Sequence, residues 1–331
     1  MGITPDLPET MRALVIDRTG SPDELRLAEV PVPAVITDEL LIRVVAAGIN
    51  PIDAKTRAGS GASAAISAFP VVLGNDFSGV VVKAPYETFP LQPGDAVYGM
   101  GRTPRTPGTY AEYVPVTGMS VAKKPANLSF TEAAGVPLAA MTAWGMVHTV
   151  AKLQPGQRVL VHAGSGGVGH FAVQFARVVG AEIIATGSAG NLDFLRELGA
   201  SEVIDYTAER FDDVLADRKV DVVIDLIGNV HDNTGSRSLS VIRPGGILVN
   251  APTGSWPTMA SEAEAAGIRS SSFKVPADAR TLDNITALIE AGVVRVNIDQ
   301  IFDLAEGADA HRALEAGHTR GKIVLRVSPG A

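Results

Sequence analysis

The chain of 331 residues carries a formal net charge of −8 and contains no cysteine. The acidic balance argues against nucleic-acid and anionic-membrane partners, and the lack of cysteine excludes disulfides and thiolate metal ligands. Since 46% of the residues are hydrophobic and only 19% are charged, we expect a globular chain of about two domains. The first residues lack the basic start and apolar run of a signal peptide, and no stretch is apolar enough to span a bilayer. A soluble cytoplasmic protein is therefore predicted.

The first ~120 residues are predicted to form a β-rich domain, because short apolar runs alternate with turns rich in proline and glycine. The predicted strands cover residues 11–17, 39–47, 77–83 and 110–115. Farther along, Ser129 and Glu132 form a capping-box pattern that predicts the start of a helix. A second helix is expected around residues 139–150.

From Arg158 onward, strand-like and helix-like segments alternate, which predicts a parallel sheet. The strand candidates are residues 158–163, 181–186, 202–205, 220–226 and 246–250. A helix is expected over 283–291, and a final strand over 322–327. This organisation places a dinucleotide-binding domain at 124–295 and assigns 1–123 and 296–331 to the β-rich domain.

The strand–turn–helix pattern at residues 158–180 is typical of a dinucleotide-binding loop. An apolar run leads into AGSGGVG, and apolar residues then recur at three- and four-residue steps. In this interpretation Gly164 permits the tight turn, Gly166 lets the backbone approach a pyrophosphate, and Gly169 lets the helix pack on its strand. Unpaired N–H groups at the helix N-terminus would bind the phosphates.

The end of the second strand of this domain favours NADPH over NADH. NAD-binding domains place a carboxylate there, about 20 residues past the glycines, to hold the ribose 2′-hydroxyl. Here Thr186, Gly187 and Ser188 occupy that zone. A hydroxyl and backbone N–H groups accept a 2′-phosphate, which a carboxylate would repel. The alternative is that Ser188 is an ordinary turn serine.

Several segments together resemble the medium-chain dehydrogenase/reductase superfamily, above all its zinc-free quinone oxidoreductase and enone (alkenal) reductase branch. They are AAGINPIDAKTRAG (46–59), FPVVLGNDFSGVV (69–81), GTYAEYV (108–114), NLSFTEAAGVPLAAMTAW (127–144) and VLVHAGSGGVG (159–169). The resemblance implies an α/β fold with a Rossmann domain, built on a doubly wound parallel sheet, and a GroES-like β-rich catalytic domain. It also implies a homodimer, which an apolar strand over 246–250, expected at the edge of the nucleotide sheet, would support.

The resemblance also implies that no zinc is bound. Zinc-dependent members of the superfamily carry a cysteine where this chain has Asn50, and a His-Glu pair where it has Asn75 and Asp76. Their cysteine-rich lobe is replaced by the short segment GMGRTPRTPGTY, and the six histidines show no ligand spacing. We therefore predict no metal site.

Residue by residue, the resemblance implies a set of catalytic and cofactor-binding positions. Asn50 and Asp53 line or brace the nicotinamide end, and Lys55, where some quinone reductases have tyrosine, is a candidate oxyanion donor. Gly190 stands where close relatives often carry a basic residue. The implied cofactor-binding residues, taken with the glycine loop, are Thr142, Gly164, Gly166, Gly167, Val168, Ser188, Tyr206, Ile227, Gly228, Asn250, Ala251 and Lys322.

The predicted reaction is NADPH-dependent hydride transfer to a conjugated carbonyl (a quinone, an enone or an alkenal) without a metal. An N–H of Asn50, Lys55 or a ribose hydroxyl of the cofactor would stabilise the developing oxyanion. One alternative is a non-catalytic NADPH-binding sensor or structural protein. Another is a serine hydrolase with Ser165 as nucleophile and His231 or His311 as base. Loops 59–68 and 100–108 are expected to form the pocket mouth.

Overall fold

The computed structural model describes residues 7–102, 104 and 108–328, which divide into two compact units. The first unit takes the described residues of Met1–Leu138, Ala277–Gly292 and Val296–Ala331, and the second takes Ala139–Pro276 and Val293–Arg295. Residues 124–138 and 277–292 therefore fall in the first unit, whereas the sequence analysis placed them in the dinucleotide-binding domain. The domain boundaries given there stay a prediction. Of the loop expected over 100–108, residues 103 and 105–107 lie outside the described residues.

The described residues contain sixteen strands and ten α-helices. The strands in chain order are β1 Thr10–Ile16, β2 Arg26–Pro31, β3 Glu39–Ile49, β4 Val71–Val72, β5 Asp76–Lys83, β6 Ala96–Met100, β7 Tyr113–Thr117, β8 Val121–Lys123, β9 Arg158–Val161, β10 Glu182–Gly187, β11 Glu202–Asp205, β12 Val220–Asp225, β13 Ile242–Asn250, β14 Arg269–Ser272, β15 Ile298–Asp303 and β16 Lys322–Arg326. The helices are α1 Pro51–Arg57, α2 Phe130–Ala134, α3 Pro137–Trp144, α4 Gly169–Val179, α5 Leu192–Leu198, α6 Phe211–Val214, α7 Thr234–Leu239, α8 Met259–Ala265, α9 Ala279–Glu290 and α10 Gly307–Glu315. None of these described helices combines the length and apolar character needed to cross a bilayer.

The first unit is built on a seven-stranded, mainly antiparallel sheet and a three-stranded sheet. The large sheet runs β15-β16-β3-β5-β6-β8, with β7 also pairing with β3, and the small sheet runs β2-β1-β4. Strand β3 is central because its eleven residues are almost all buried and it pairs with β5, β7 and β16. The β-rich prediction for this part of the chain is confirmed. The core of the unit includes Leu14, Ile42, Phe77, Tyr110 and Ile323.

Helix α1 lies in this unit at residues to which the sequence interpretation, which expected little helix here, assigned no element. Pro51 occupies its first turn and Asp53 follows two residues later. Both are helix-start signals, because proline needs no N–H partner at that position and a carboxylate is favoured at the positive end of the helix. These signals stand inside a segment dominated by strand patterns, which is why the short helix was missed.

The second unit is built on a six-stranded parallel sheet of order β11-β10-β9-β12-β13-β14. The chain starts at the central β9, builds outward to β11 and then crosses to β12, which is the doubly wound order of a Rossmann fold. All six residues of β12 are buried, as expected for a parallel strand covered on both faces. The predicted fold class, a Rossmann domain with a GroES-like domain, is confirmed.

The expectation that residues 246–250 form the edge of this sheet is wrong. They belong to β13, which pairs with β12 on one side and with β14 on the other. Strand β14 reads Arg-Ser-Ser-Ser, and this short polar segment carries no strand signal. The strand argument for a homodimer is therefore lost, and the homodimer stays a prediction from the resemblance.

The helix predicted around 139–150 is present but begins at Pro137 and continues as a π-helix over Gly145–Val150. A Cβ at Gly145 would lie 2.0 Å from the ring of Phe273, so a larger residue there would require that ring to move. The helix predicted over 283–291 begins earlier, at Ala279, because the Asp278 side chain accepts the first free N–H groups. Both helices are confirmed with shifted bounds.

Candidate functional site

The glycine loop connects β9 to α4 in the second unit. Gly166, Gly167 and Val168 are partly exposed and directly precede this eleven-residue helix. A Cβ at Gly166 would meet one atom within 4 Å, the Ala163 carbonyl oxygen at 3.3 Å, which is a tight contact with the backbone. The Gly166 N–H donates to the Ala163 carbonyl oxygen at 3.0 Å, so the N–H groups of Gly167 and Val168, at the positive end of the helix, are the ones that fit a pyrophosphate. The loop therefore fits the dinucleotide that the sequence predicts.

At Gly164 and Gly169, packing against neighbouring atoms requires glycine. A Cβ at Gly169 would lie 2.1 Å from the Ala163 carbonyl oxygen, so glycine allows α4 to start against β9, as predicted. The sequence interpretation placed the tight turn at Gly164, but the left-handed residue is Ala163, with φ 49°. A Cβ at Gly164 would instead meet Leu195 at 2.9 Å and Ala185 at 3.1 Å. Gly164 is therefore required for packing against the neighbouring strand and helix.

A buried carboxylate joins the predicted cofactor residues that follow β12 and β13. Asp225 accepts hydrogen bonds from the N–H groups of Ile227 and Gly228, both at 2.9 Å. It also accepts one from the Asn250 side chain at 2.8 Å, and its carbonyl accepts the Ala251 N–H at 3.1 Å. The sequence analysis missed Asp225, although a carboxylate ending an apolar strand was a usable signal. The structure thus brings these four predicted residues together.

At the end of β10, the Thr186 hydroxyl faces inward. It accepts the Ala163 N–H at 3.2 Å and lies 3.3 Å from His162 Nδ1. His162 Nε2 lies 2.8 Å from the Ser238 hydroxyl, which itself donates to the Thr234 carbonyl. Burial lowers the pKa of His162 to about 4, so its ring is neutral and donates from Nε2. Thr186 therefore helps to fix the start of the glycine loop through its hydrogen bond to Ala163.

Ser188 and Tyr206 come together because β10 and β11 are parallel neighbours that end side by side. Ser188 is partly exposed, and its hydroxyl accepts from the Asn191 side chain at 3.1 Å. Tyr206 donates its N–H to the Gly187 carbonyl at 3.2 Å, while its side chain is 59% exposed. Of the hydroxyls at the end of β10, Ser188 is the one left near solvent to meet a ligand.

In the first unit, Asn50 stands between β3 and α1 at the centre of a buried polar network. Its backbone N–H donates to Asp53 Oδ2 at 2.9 Å. Its Nδ2 donates to Asp76 Oδ2 at 2.9 Å, and its Oδ1 accepts from Lys322 Nζ. The side chain is only 1% exposed. The structure thus joins three predicted site residues, Asn50, Asp53 and Lys322, to Asp76.

Asp53 is a buried carboxylate that accepts three hydrogen bonds. Besides Asn50, it accepts from Asn75 Nδ2 at 2.7 Å and from the Tyr110 hydroxyl at 3.0 Å. Burial raises the pKa of Asp53 to about 7, with the nearby Asp76 adding to the effect, while the hydrogen bonds oppose it. Asp53 therefore titrates near neutrality and braces the start of α1.

Lys322 and Asp76 form the charged part of the Asn50 network. Lys322 Nζ donates to the Ile49 carbonyl at 2.7 Å and lies 3.8 Å from Asp76 Oδ2. The other carboxylate oxygen of Asp76 accepts the Leu138 N–H at 2.8 Å. Burial raises the pKa of Asp76 to about 6, which Lys322 opposes, and burial lowers the pKa of Lys322. The sequence placed Lys322 near the cofactor, and the structure adds this buried ion pair.

The remaining predicted residues have different surroundings. Lys55 lies on α1 with Asp53, but its side chain is partly exposed where Asn50 and Asp53 are buried. Thr142 lies on α3, within the second unit, and is 5% exposed. Their roles toward a ligand stay predictions.

Asn50, Asn75 and Asp76, which stand where zinc-dependent members of the superfamily carry ligands, do not fit a zinc ion. In residues 7–102, 104 and 108–328, no three His, Asp or Glu side chains are grouped to hold a metal, and cysteine is absent from the sequence. The amides of Asn50 and Asn75 are bonded to Asp76 and Asp53 instead. The Lys322 ammonium in the same network would repel a divalent cation. We therefore derive no chemistry through a metal.

The surroundings of Ser165 do not favour the hydrolase alternative. Ser165 is buried, with 8% exposure, whereas a nucleophile elbow exposes its serine. Of the two nominated bases, His231 is exposed and its carbonyl holds the Thr234 side chain. His311 is buried edge-to-face against the ring of Tyr110, in the first unit.

Two family models match the chain. Residues 37–126 match the alcohol dehydrogenase GroES-like domain, and residues 198–325 match the family described as zinc-binding dehydrogenase. These ranges fall in the β-rich part and in the part that contains most of the parallel sheet. The second family's name refers to a metal that the residues of this chain do not fit.

Proteins with known names are similar to this chain over almost its whole length. A 2-methylene-furan-3-one reductase from Solanum lycopersicum is 38% identical over 98% of this chain and 81% of that protein. A chloroplastic NADPH-dependent alkenal/one oxidoreductase from Arabidopsis thaliana shows the same identity and coverage. The solved quinone oxidoreductase from Coxiella burnetii is 36% identical, with a TM-score of 0.91 over 96% of this chain and 100% of that one. The chain is therefore an oxidoreductase that belongs to the medium-chain dehydrogenase/reductase superfamily, in its quinone oxidoreductase branch.

Proposed function

We propose that the protein is an NADPH-dependent reductase of conjugated carbonyl acceptors (quinones, enones or alkenals) that works without a metal. The observation that carries the proposal is the network in which Lys322 and Asp76 hold the Asn50 amide at positions that do not fit zinc. A conjugated acceptor spreads the incoming charge over its own atoms, so hydrogen-bond donors suffice to stabilise it. The names of the similar reductases and oxidoreductases support this acceptor class.

In this proposal the second unit holds the dinucleotide. The N–H groups of Gly167 and Val168 bind the pyrophosphate beside Gly166, whose own N–H donates to the Ala163 carbonyl, while Ser188 and Tyr206 flank the adenosine phosphate. When bound, NADPH supplies the hydride. The lack of a carboxylate at the end of β10 supports NADPH over NADH, as does the name of the Arabidopsis relative.

The task of the first unit is to stabilise negative charge on the acceptor oxygen. The backbone N–H of Asn50 is not available for this, because it donates to Asp53. The candidate donors of this unit are therefore Asn50 Nδ2 and the partly exposed Lys55, and the ribose hydroxyl of the cofactor stays the third candidate. Asp53 acts through Asn50 by holding the start of α1.

A substrate screen tests the proposal. NADPH oxidation should be fast with several quinones, enones or alkenals and slower with NADH, and NADP⁺ should not support oxidation of ethanol or sorbitol. Turnover also excludes the sensor alternative. Robust alcohol oxidation with no reduction of any conjugated acceptor would refute the proposal. A stoichiometric zinc whose chelation abolishes activity would refute the metal-free part.

Asn50→Ala separates the two candidate donors. Losing a donor that faces a developing oxyanion lowers the rate by about 10²–10³, so we expect kcat to fall at least ~10-fold while the NADPH Kd stays nearly unchanged. Lys55→Ala is the matched variant on the neighbouring helix. If kcat falls in Lys55→Ala and not in Asn50→Ala, the donor is Lys55.

We also propose a homodimer, on the family resemblance alone. Light scattering at micromolar concentration should give about twice the chain mass. A monomer under those conditions would remove this part of the proposal without affecting the chemistry.

A further inference from the structure

The Asn50 amide is fixed in one orientation by opposite charges. Its carbonyl oxygen accepts from the Lys322 ammonium, and its nitrogen donates to the Asp76 carboxylate. A flipped amide would place its NH₂ group against the ammonium and its oxygen against the carboxylate. Because all three side chains are at most 3% exposed, solvent cannot relieve such a mismatch.

The same arrangement leaves one hydrogen of the amide without an acceptor in the network. An amide nitrogen carries two hydrogens, and among the described residues Asn50 Nδ2 has a single acceptor, Asp76 Oδ2. A cation on the amide oxygen withdraws electron density from the nitrogen. Charge-assisted and chained hydrogen bonds are stronger than isolated neutral ones. The remaining N–H is therefore a better donor than that of an ordinary asparagine.

We propose that Lys322 is a positioning residue that orients and polarises Asn50, whose second Nδ2 hydrogen then binds the acceptor oxygen as charge develops on it. This inference rests on the proposed function. Lys322 is anchored by the Ile49 carbonyl and by Asp76, and acts through Asn50. It differs from the role implied by the resemblance, in which Lys322 lies near the cofactor.

The charge of Lys322 gives the proposal a pH signature. The groups that face its ammonium are Asp76, the Ile49 carbonyl and the Asn50 oxygen, with Asp53 farther away. Burial lowers the pKa of Lys322, and the two carboxylates oppose this. As pH rises through that lowered pKa, the ammonium becomes a neutral amine and the polarisation of Asn50 is lost. We expect kcat to fall over the same pH range.

Three variants test the proposal by kinetics. Lys322→Met keeps the length of the side chain without its charge, and should lower kcat at least ~10-fold at unchanged NADPH Kd, approaching the loss of a donor. Lys322→Arg keeps the charge, and should recover much of kcat and move its alkaline decline to higher pH. Lys123→Met, at an exposed lysine on β8, is the control and should behave like wild type. Unchanged kcat in Lys322→Met, or a loss explained by weaker NADPH binding, would overturn the proposal.

A second measurement does not depend on turnover. In protein labelled with ¹⁵N-asparagine, the Asn50 side-chain amide signal is assigned by its loss in Asn50→Ala. It should shift in Lys322→Met. Wild type should show a titration step as pH rises through the lowered pKa of Lys322, and Lys322→Met should lack that step, although both proteins keep the steps of Asp53 and Asp76. An Asn50 signal that is the same in both proteins would overturn the proposal even if the enzyme is active. A shifted, titrating signal in a protein that reduces no conjugated acceptor would refute the proposed function and, with it, the role at the acceptor.

Discussion

The glycine loop and the Asn50 network are built in opposite ways. The loop uses backbone groups and residues with small or no side chains, and residues 166–168 are partly exposed. The network uses side chains from distant parts of the chain, and nearly all their hydrogen-bonding groups are paired inside the protein. In the function we propose, the loop binds through the backbone N–H groups of Gly167 and Val168, whereas the network orients the Asn50 amide by pairing almost every group around it.

The difference has an energetic consequence. A change in the exposed part of the loop removes contacts that water can replace. By contrast, removing one partner of a buried ion pair such as Lys322–Asp76 leaves a charge without compensation, which destabilises by about 3–5 kcal/mol. We therefore expect loop variants to lose dinucleotide affinity first, and network variants to lose stability and kcat together.

Gly169→Ala should have the largest effect on the loop. The new Cβ would lie 2.1 Å from the Ala163 carbonyl oxygen and 2.8 Å from Gly164 Cα, and both are backbone atoms that cannot rotate away. Helix α4 must then move from β9, at an overpacking cost of about 1–3 kcal/mol. Because the loop moves with the helix, we also expect NADPH to bind at least ~10-fold more weakly, a loss of about 1.4 kcal/mol in binding free energy. Isothermal titration and the unfolding temperature check this.

Gly190→Ala is the matched control. A Cβ at Gly190 would meet nothing within 4 Å, and the residue is exposed on the same unit. We expect wild-type affinity and stability. If Gly169→Ala binds NADPH as well as Gly190→Ala does, then α4 does not need its close approach to β9 to position the loop.

The loop was predictable because its signals are local. The strand, the glycines and the helix lie within about 20 residues, so their order and spacing can be read directly from the sequence. Even so, the reason for Gly164 was wrong, because its packing partners, Leu195 and Ala185, come from elements whose position the sequence does not give.

The Asn50 network was predictable only in part. Asn50, Asp53 and Lys322 were named from the resemblance, but their joint network with Asn75 and Asp76 was not. Lys322 meets Asn50 because β16 pairs with the end of β3, some 270 residues earlier in the chain. Pairing between distant strands leaves no local pattern, and so the hydrogen bonds that follow from it were missed.

His311 lies next to Tyr110, a member of the network, but unlike the network residues it has unpaired hydrogen-bonding atoms. It is fully buried against the Tyr110 ring, and both its ring nitrogens have no hydrogen-bond partner among the described residues. Burial, with the Arg57 charge adding to it, lowers the pKa of His311 from 6.5 to about 3. Between these values the unfolded chain binds a proton at this histidine and the folded protein does not.

The free energy of unfolding is therefore unaffected by His311 above pH 6.5. Below pH 6.5 it decreases as pH is lowered, by about 1.4 kcal/mol per pH unit, until pH reaches the folded-state pKa of about 3. His311→Leu removes this loss and the unpaired nitrogens. Going from pH 7.5 to pH 5, we expect the variant to gain about 2 kcal/mol in free energy of unfolding relative to wild type. Urea unfolding at both pH values measures the difference.

The control for this experiment is His318→Leu, at an exposed histidine after the same helix, which should not produce the same gain. A His311→Leu variant whose stability relative to wild type does not change with pH would show that the ring is paired or accessible in the folded protein. The network region would then be less tightly closed than we infer.

Ser188→Asp should have a smaller effect, at the phosphate end of the nucleotide unit. Ser188 is the partly exposed hydroxyl that follows β10, next to the exposed Tyr206. Since Gly190 supplies no positive charge, we expect wild type to prefer NADPH over NADH by only about 10-fold, or 1.4 kcal/mol. A carboxylate at 188 would repel the 2′-phosphate and accept hydrogen bonds from the ribose hydroxyls of NADH, which reverses the preference.

Ser188→Asn is the control: its side chain has nearly the shape of aspartate without the charge, and it should keep the wild-type preference. Titration of both cofactors decides the point: if Ser188→Asp still prefers NADPH, the 2′-phosphate does not bind at Ser188, and open backbone groups alone do not account for the choice of cofactor.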